Sequence, residues 1–513
     1  MKLLLAAGVL SLGAVPTVAQ APSTAQELKS LLTANGLKAD VSFLASDLLE
    51  GRGTPSRGLD LASEYIAAQF RRAGLEPVGD DGYFQTANLA TVTPNAGGLD
   101  LSLDAANGAV KPAAGSLTLS DASATNLTRA KVVRVTADDQ AAISALTQES
   151  VAGKVLVVEQ NGQGGGGRGR GSAGFVMMRG LKPAAVLVLQ PPASGSNGRG
   201  RSGAGMGAGR PVARPREASA LPTFSTLICT DAAFRAALDA APEATISLHV
   251  AAPKIEAVKL RNVVGLLRGS DPVLKDTYLL VTGHYDHLGI RENGTSDQIY
   301  NGANDDASGT ASVIAIANAM STVPRPKRSV LFMTVFGEEL GDLGSHYYAA
   351  HPIFPLAKTV VDLNLEQLGR TDDLEGPRVG AFNMTGFDYT NLPEIFARAG
   401  AATDIRAVKH EKNSDAYFRR SDNAAFADAG VPSTTISVAY DFPDYHKQGD
   451  EWQKLDYENM AKVDRTIALA MIDIANRSEA PKWDASNPKT AAFVKAREAT
   501  MAAAAAAAPA AKR

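Results

Sequence analysis

The chain has 513 residues, more than one ordinary core accommodates, so two folded units are expected. Hydrophobic residues make up 45% and charged residues 20%, a globular balance, and a formal net charge of -3 excludes bulk electrostatic attraction to nucleic acid. Cys229 is the single cysteine, so no disulfide can form within the chain; following Leu227 and Ile228 in an apolar run, it reads as a buried, inert thiol.

In chain order, Met1-Lys2, an apolar run over 3–15 and Pro16-Thr17-Val18-Ala19 read as a signal peptide cut before Gln20, and hence as export. The run is shorter than the ~20 residues of a membrane-spanning helix, and no later stretch reads as a span. Helical spacing follows over 25–32 and 59–73, with Gly74 as the C-cap of the second. Between them lies LASDLLEGRGTPSRG, ending in a glycine-rich turn. After Gly97 the texture changes to short β-like runs over 99–103, 131–135, 154–158, 184–189 and 245–250. Two Gly/Arg-rich stretches, 162–174 and 194–210, interrupt them. They carry no interleaved aromatics and sit inside a domain, so they read as solvated loops rather than nucleic-acid tails.

From Ala257 onward, strands alternate with helices. Strands are expected over 263–267, 278–282, 329–336, 359–365 and 434–438, and helices over 307–320, 344–350, 392–400 and 457–477. Buried strands alternating with helices argue an α/β unit with a mixed, largely parallel central sheet flanked by helices. The tail beyond Asn487, with its alanine run over 502–508, has no strong apolar face and is expected to protrude or fray.

The chemistry sits where these strands end: His284 and Asp286 in VTGHYDHLG, Asp305 in NGANDDASG, Glu338-Glu339 in FGEEL, Glu366 in NLEQLGR and His446 in DYHKQGD. Open α/β sheets place their sites at the carboxyl ends of strands. Imidazoles with several carboxylates are a ligand set suited to zinc. Asp286, two residues beyond His284, points to the same side, so its carboxylate is in position to fix the imidazole tautomer. Asp306 or Ser308 reads as the cap of the following helix while Asp305 reaches the metals. Adjacent acids after a core strand repel each other unless a cation or proton intervenes, and consecutive side chains point apart, so one of Glu338 and Glu339 is free to face a water. The other histidines, His249, His287, His346, His351 and His410, read as structural or solvated.

Taken jointly, these motifs over about 262–475 resemble the co-catalytic zinc metallopeptidases of the aminopeptidase and glutamate carboxypeptidase type. The same family includes glutaminyl cyclases and a catalytically inactive receptor branch. The LASDLLEGRG segment and its following helix resemble the family's N-terminal portion, and the β-like region resembles an inserted, β-rich protease-associated domain. The implied layout is a signal peptide at 1–19, peptidase segments at 20–106 and 253–480, the insert at 107–252 and an alanine-rich tail at 481–513. A cover over the active-site mouth is the role considered for the insert.

The resemblance implies two Zn2+ ions, one held by His284, Glu366 and Asp305, the other by Glu339, His446 and Asp305. It implies Asp286 as the orienter of His284, Glu338 as general base and acid, Tyr445 as oxyanion donor, and a cis peptide at Asp305-Asp306. Two departures are visible: Glu366 stands where aspartate is common, and Asn423 follows Ser421-Asp422 where histidine is frequent. The implied activity is peptide hydrolysis, with an aminopeptidase as the leading reading. A carboxypeptidase or dipeptidase, for which Arg419 and Arg420 are candidate carboxylate binders, is the alternative; a cyclase and an inactive binding scaffold rank below it.

Overall fold

The computed structural model describes residues 24–507 apart from 107, 161–179, 192–213, 219–220, 293 and 295. The expected signal peptide and both Gly/Arg-rich stretches therefore lie outside the described residues.

Three strands are buried along their whole length: Tyr278–His284, Ser329–Val335 and Thr359–Leu365. Side chains alternate across a strand, so each of them must be covered on both faces. Leu279, Val281, Val330 and Phe332 join one core, while Tyr278, Leu280, Leu331 and Met333 join another on the opposite face. The larger core is roofed by the helices Ala34–Leu44, Arg57–Arg72, Gly309–Thr322 and Tyr457–Asn476. Gly309–Thr322 is buried almost all round, which explains its lack of a polar face. The second core is covered by Leu343–Ala350 and Asn423–Asp428, through Tyr348 and Phe426.

Among the described residues ten strands make up this sheet. The order runs Arg214–Arg216, Phe84–Thr93, Lys254–Leu267, Ser329–Val335, Tyr278–His284, Thr359–Leu365, Ser433–Ser437, Ala381–Met384 and Arg406–Val408, with Glu76–Pro77 on the flank of Lys254–Leu267. The four central strands, from Ser329–Val335 to Ser433–Ser437, are mutually parallel. Antiparallel pairing begins at Lys254–Leu267 on one side and Ala381–Met384 on the other. The sheet is thus mixed with a parallel centre, as the alternating pattern implied, and the carboxyl ends of all four parallel strands open on one rim.

Phe84–Thr93 was not foreseen as a strand. It pairs antiparallel with Lys254–Leu267 from Phe84 opposite Val263 to Thr93 opposite Lys254. This ribbon is the stalk on which the chain leaves and re-enters the α/β unit. Beyond it lie a five-stranded sheet, ordered Leu117–Asp121, Ser225–Cys229, Ala185–Leu189, Val155–Glu159 and Val132–Thr136, and a four-stranded sheet, ordered Gly108–Val110, Leu99–Ala105, Thr245–Val250 and Thr125–Ala130. The β-rich part has cores of its own. Leu99–Ala105 pairs with Thr245–Val250, so the β-rich part begins earlier than the expected boundary at 107. Cys229 is free and buried there, and burial raises its thiol pKa.

The tail also differs from expectation. Ala491–Ala507 is a helix whose Phe493 is buried and stacks on Trp483 at 4.9 Å, while Arg497 donates to the Leu356 carbonyl at 3.1 Å. Two aromatics and one arginine dock the first turns; the alanine run that follows remains largely exposed.

Candidate metal centre

His284 is the last residue of the Tyr278–His284 strand and is fully buried. Its Nδ1 lies 3.1 Å from the Asp286 backbone carbonyl and 3.5 Å from the Asp286 carboxylate. That carboxylate accepts the Glu338 N–H at 3.1 Å through one oxygen and the Thr54 hydroxyl at 3.1 Å through the other. Asp286 therefore ties the His284 turn to the Glu338-Glu339 turn, and the fixed contact to the ring comes from its carbonyl.

Asp305 lies in the turn before Gly309–Thr322, and the Asp305-Asp306 peptide is cis, as the resemblance implied. Asp306 accepts the Gly309 N–H at 2.9 Å and the Gln367 N–H at 3.0 Å, so it caps the helix and also holds the Glu366 turn. Asn304 adds to the tie by accepting the Gly369 and Arg370 N–H groups at 2.8 and 2.9 Å. Gly309 has no room for a side chain: a Cβ there would lie 2.1 Å from the Leu365 carbonyl.

These turns converge. Asp305 Oδ1 is 3.3 Å from His284 Nε2, and Asp305 Oδ2 is 3.1 Å from His446 Nε2. His446 Nε2 is also 3.2 Å from Glu339 Oε1. The ligand atoms of His284, Asp305 and Glu366 lie within 4.8 Å of one another, and those of His287, Asp305 and Glu339 form a second such group. Tyr445 stacks on His446 at 4.0 Å and, with Glu366, lines a pocket of about 400 Å³. The five expected ligands, with Asp286 and Tyr445, are thus brought to one rim of the sheet. Glu338 is buried beside Glu339 in the turn after Ser329–Val335.

The electrostatics suit cations. His284 Nε2 and both Glu339 carboxylate oxygens are buried without a hydrogen-bond partner. Burial alone would lower the His446 imidazole, but Glu339 and Asp305 lift it to about 10. Burial would raise the Asp305 carboxyl, yet His284 and His446 hold it far below the usual carboxylate range. A buried cluster of acids and imidazoles in which His284 and Glu339 atoms lack hydrogen-bond partners is what a bound cation would satisfy, and the nitrogen and oxygen donors fit zinc.

Four further residues were not read from the sequence. Arg52, in the LEGRG segment noted only for its glycines, is fully buried and donates to the carbonyls of Leu44, Tyr285, Asn301 and Gly302. Burial lowers its guanidinium to about 10. Asp450 accepts the Asn304 and Asp305 N–H groups at 3.0 Å, and burial raises its carboxyl to about 7. Thr54 holds Asp286. His287, set aside as a turn residue, lies with its ring 5.6 Å from that of His446 and its Nδ1 2.9 Å from Glu339 Oε1. A second histidine three residues after a strand-end histidine was the available signal. Of the other histidines set aside, His351 pairs with Glu217 and His410 with Glu375, outside this cluster.

The fold thus gathers acids and imidazoles at the carboxyl rim of a parallel-centred α/β sheet, a donor set able to hold metal ions. The model of Peptidase family M28 matches residues 262–471, in agreement with the resemblance drawn from the motifs. A probable zinc metalloprotease of Pyricularia oryzae is 28% identical over 261 residues, covering 43% of this chain and 50% of its own length. A probable leucine aminopeptidase 2 of Aspergillus oryzae is 28% identical over 243 residues, covering 42% of this chain and 45% of its own. The chain thus spans about half the length of the curated relatives it matches. The aminopeptidase from Aneurinibacillus sp. strain AM-1 shares the fold, with a TM-score of 0.55 at 19% identity over 89% of this chain and 97% of that one.

Proposed function

We propose that the protein is a zinc-dependent exopeptidase working with two ions, and that it is an aminopeptidase removing N-terminal residues from peptides. The observation that carries this reading is the position of Asp305, one oxygen 3.3 Å from His284 and the other 3.1 Å from His446. A carboxylate set between two imidazoles on separate turns is suited to bridging a pair of cations. His284, Glu366 and Asp305 would hold one, and Glu339, His446 and Asp305 the other.

Bound zinc supplies Lewis acidity to the scissile carbonyl and acidifies a water at neutral pH. The remaining work falls to the chain. The Glu338 carboxylate takes a proton from the attacking water; as the water oxygen bonds to the carbonyl carbon and the C–N bond breaks, Glu338 returns that proton to the leaving amine. Tyr445, stacked on His446 at the pocket wall, donates to the developing oxyanion. Asp286 orients His284. The β-rich region is read as a protease-associated insert, and the signal-like first 19 residues support export.

A second reading, a carboxypeptidase or dipeptidase, is favoured by one observation: Arg420 lines the pocket beside Glu366. Arg419, the other candidate, is exposed and paired with Asp428. The test is hydrolysis of aminoacyl-anilides and short peptides by the zinc-loaded and chelator-stripped protein, with N-blocked and C-blocked peptides compared. The aminopeptidase reading expects zinc-dependent turnover that N-blocking abolishes. Turnover abolished instead by C-amidation assigns the second reading, and zinc-independent behaviour removes both.

A further inference from the structure

We infer that His287 is a direct metal ligand, so that one of the two ions is enclosed by four protein side chains, His287, His446, Glu339 and Asp305, while the other keeps an open side. The inference deepens the two-ion reading and rests on it.

The His287 imidazole is completely buried, and neither ring nitrogen has a hydrogen-bond partner. Its Nδ1 is 2.9 Å from Glu339 Oε1, yet both atoms lack a hydrogen bond. Two polar atoms that approach so closely without bonding each other are placed to share a third partner between them. The ring stands edge-on to His446, whose Nε2 faces the same Glu339 oxygen at 3.2 Å. His287, Asp305 and Glu339 thus form one candidate ligand group, and His446 reaches it through its contacts with Asp305 and Glu339.

The seat of this ring is specifically built. The His287 N–H donates to the Arg52 carbonyl at 3.2 Å, which fixes the backbone. Gly302 lies flat against the imidazole: a Cβ there would be 2.4 Å from His287 Cγ, and its φ of +58° is one that glycine adopts freely. The glycine leaves the space that the ring fills.

The other group has three protein donors, His284, Asp305 and Glu366, and Glu366 also forms part of the wall of the 400 Å³ pocket. Zinc sites with four protein ligands are closed, whereas catalytic sites keep a position for water or substrate. Substrate is therefore engaged from the Glu366 side, and the His287 side anchors its ion.

The test is zinc content and affinity, independent of turnover. The wild-type protein is expected to hold two zinc ions per chain. His287→Gln is expected to bind one of them more than about 100-fold more weakly, beyond what loss of an orienting contact costs, while retaining the other. A loss of 100-fold or less is the result of an orienting residue and overturns the inference. X-ray absorption of the wild-type dizinc protein needs no variant: three imidazoles shared by two ions (His284, His287 and His446) support the inference, and two refute it. Wild-type protein that binds fewer than two ions sinks the two-ion reading itself, a different failure.

Discussion

Replacing Arg52 by methionine separates the architecture of the centre from its chemistry. Arg52 touches no ligand side chain, but its guanidinium donates at 2.5 to 3.0 Å to four carbonyls, those of Leu44, Tyr285, Asn301 and Gly302. Two of these lie in the turn before Asp305, and Tyr285 follows His284. Hydrogen bonds from a charged donor are worth about 1.5–3 kcal/mol each, so the gross contribution is on the order of 6–12 kcal/mol. Against this stands the cost of burying the charge, visible in the fall of the guanidinium to about 10, which corresponds to roughly 3 kcal/mol. Methionine removes both terms and leaves four buried carbonyls short of a donor. The expected net loss is at least about 3 kcal/mol of unfolding free energy, with weaker zinc retention as the Asp305 turn loosens. Denaturant unfolding of the zinc-free protein measures the first and dialysis against a chelator the second. A variant within about 1 kcal/mol of wild type that keeps its zinc would refute the claim that Arg52 ties the ligand turns together.

Glu338→Ala should keep both zinc ions while turnover falls by about 10²- to 10⁴-fold, the usual weight of a general acid-base group; near-normal turnover removes the assigned role. Arg420→Ala should reduce discrimination between N-terminal Glu and Gln anilides, because Arg420 lines the pocket without an ion-pair partner among the described residues while its guanidinium rests on Tyr417. Preference for Glu over Gln in the wild type, lost in the variant, is the expected readout, and an unchanged ratio contradicts it. Asp464 is fully buried in the helix Tyr457–Asn476, and burial raises its carboxyl to about 7. The folded chain then keeps this proton where the unfolded chain has lost it. Its contribution is complete below about pH 4 and is lost as pH rises to about 7, by up to roughly 4 kcal/mol. Asp464→Asn should flatten this slope and be the more stable protein at pH 8; parallel stability curves across pH 4–8 would show that the acid is not titrating as stated.

The parts of the fold legible in the sequence are those with strong local signals. Ser329–Val335 is almost wholly apolar and Thr359–Leu365 is rich in valine and leucine, and each is followed by an acid that reaches the rim. Phe84–Thr93 escaped because half its residues are polar and two more are alanine, and it is specified by ten pairings with the strand Lys254–Leu267, the first of them joining Phe84 to Val263. The docked tail escaped for a related reason. Its alanines carry no pattern, and the partners it finds go to Phe493, Arg497, Thr500 and the preceding Trp483.

The same distinction explains the site. His284, Asp305, Glu339 and Glu366 each stand just past a predicted strand or before a predicted helix, so position made them candidates, while His446 lies in a polar turn and was drawn in by the joint pattern. Arg52 and Asp450 are defined by closure: each acts on groups brought near by other strands. Nothing around Arg52 in the sequence announces the four carbonyls that surround it in the fold. Asp450 reads as a solvated acid until the Asn304 and Asp305 N–H groups aim at it. A ligand must be presented by its own strand, and local sequence encodes that presentation. The groups that hold the ligand turns in register answer to long-range contacts, and in this chain those are charged residues buried against backbone. Charge in a turn is ordinarily a mark of solvent, so the sequence signal for these supports points the wrong way.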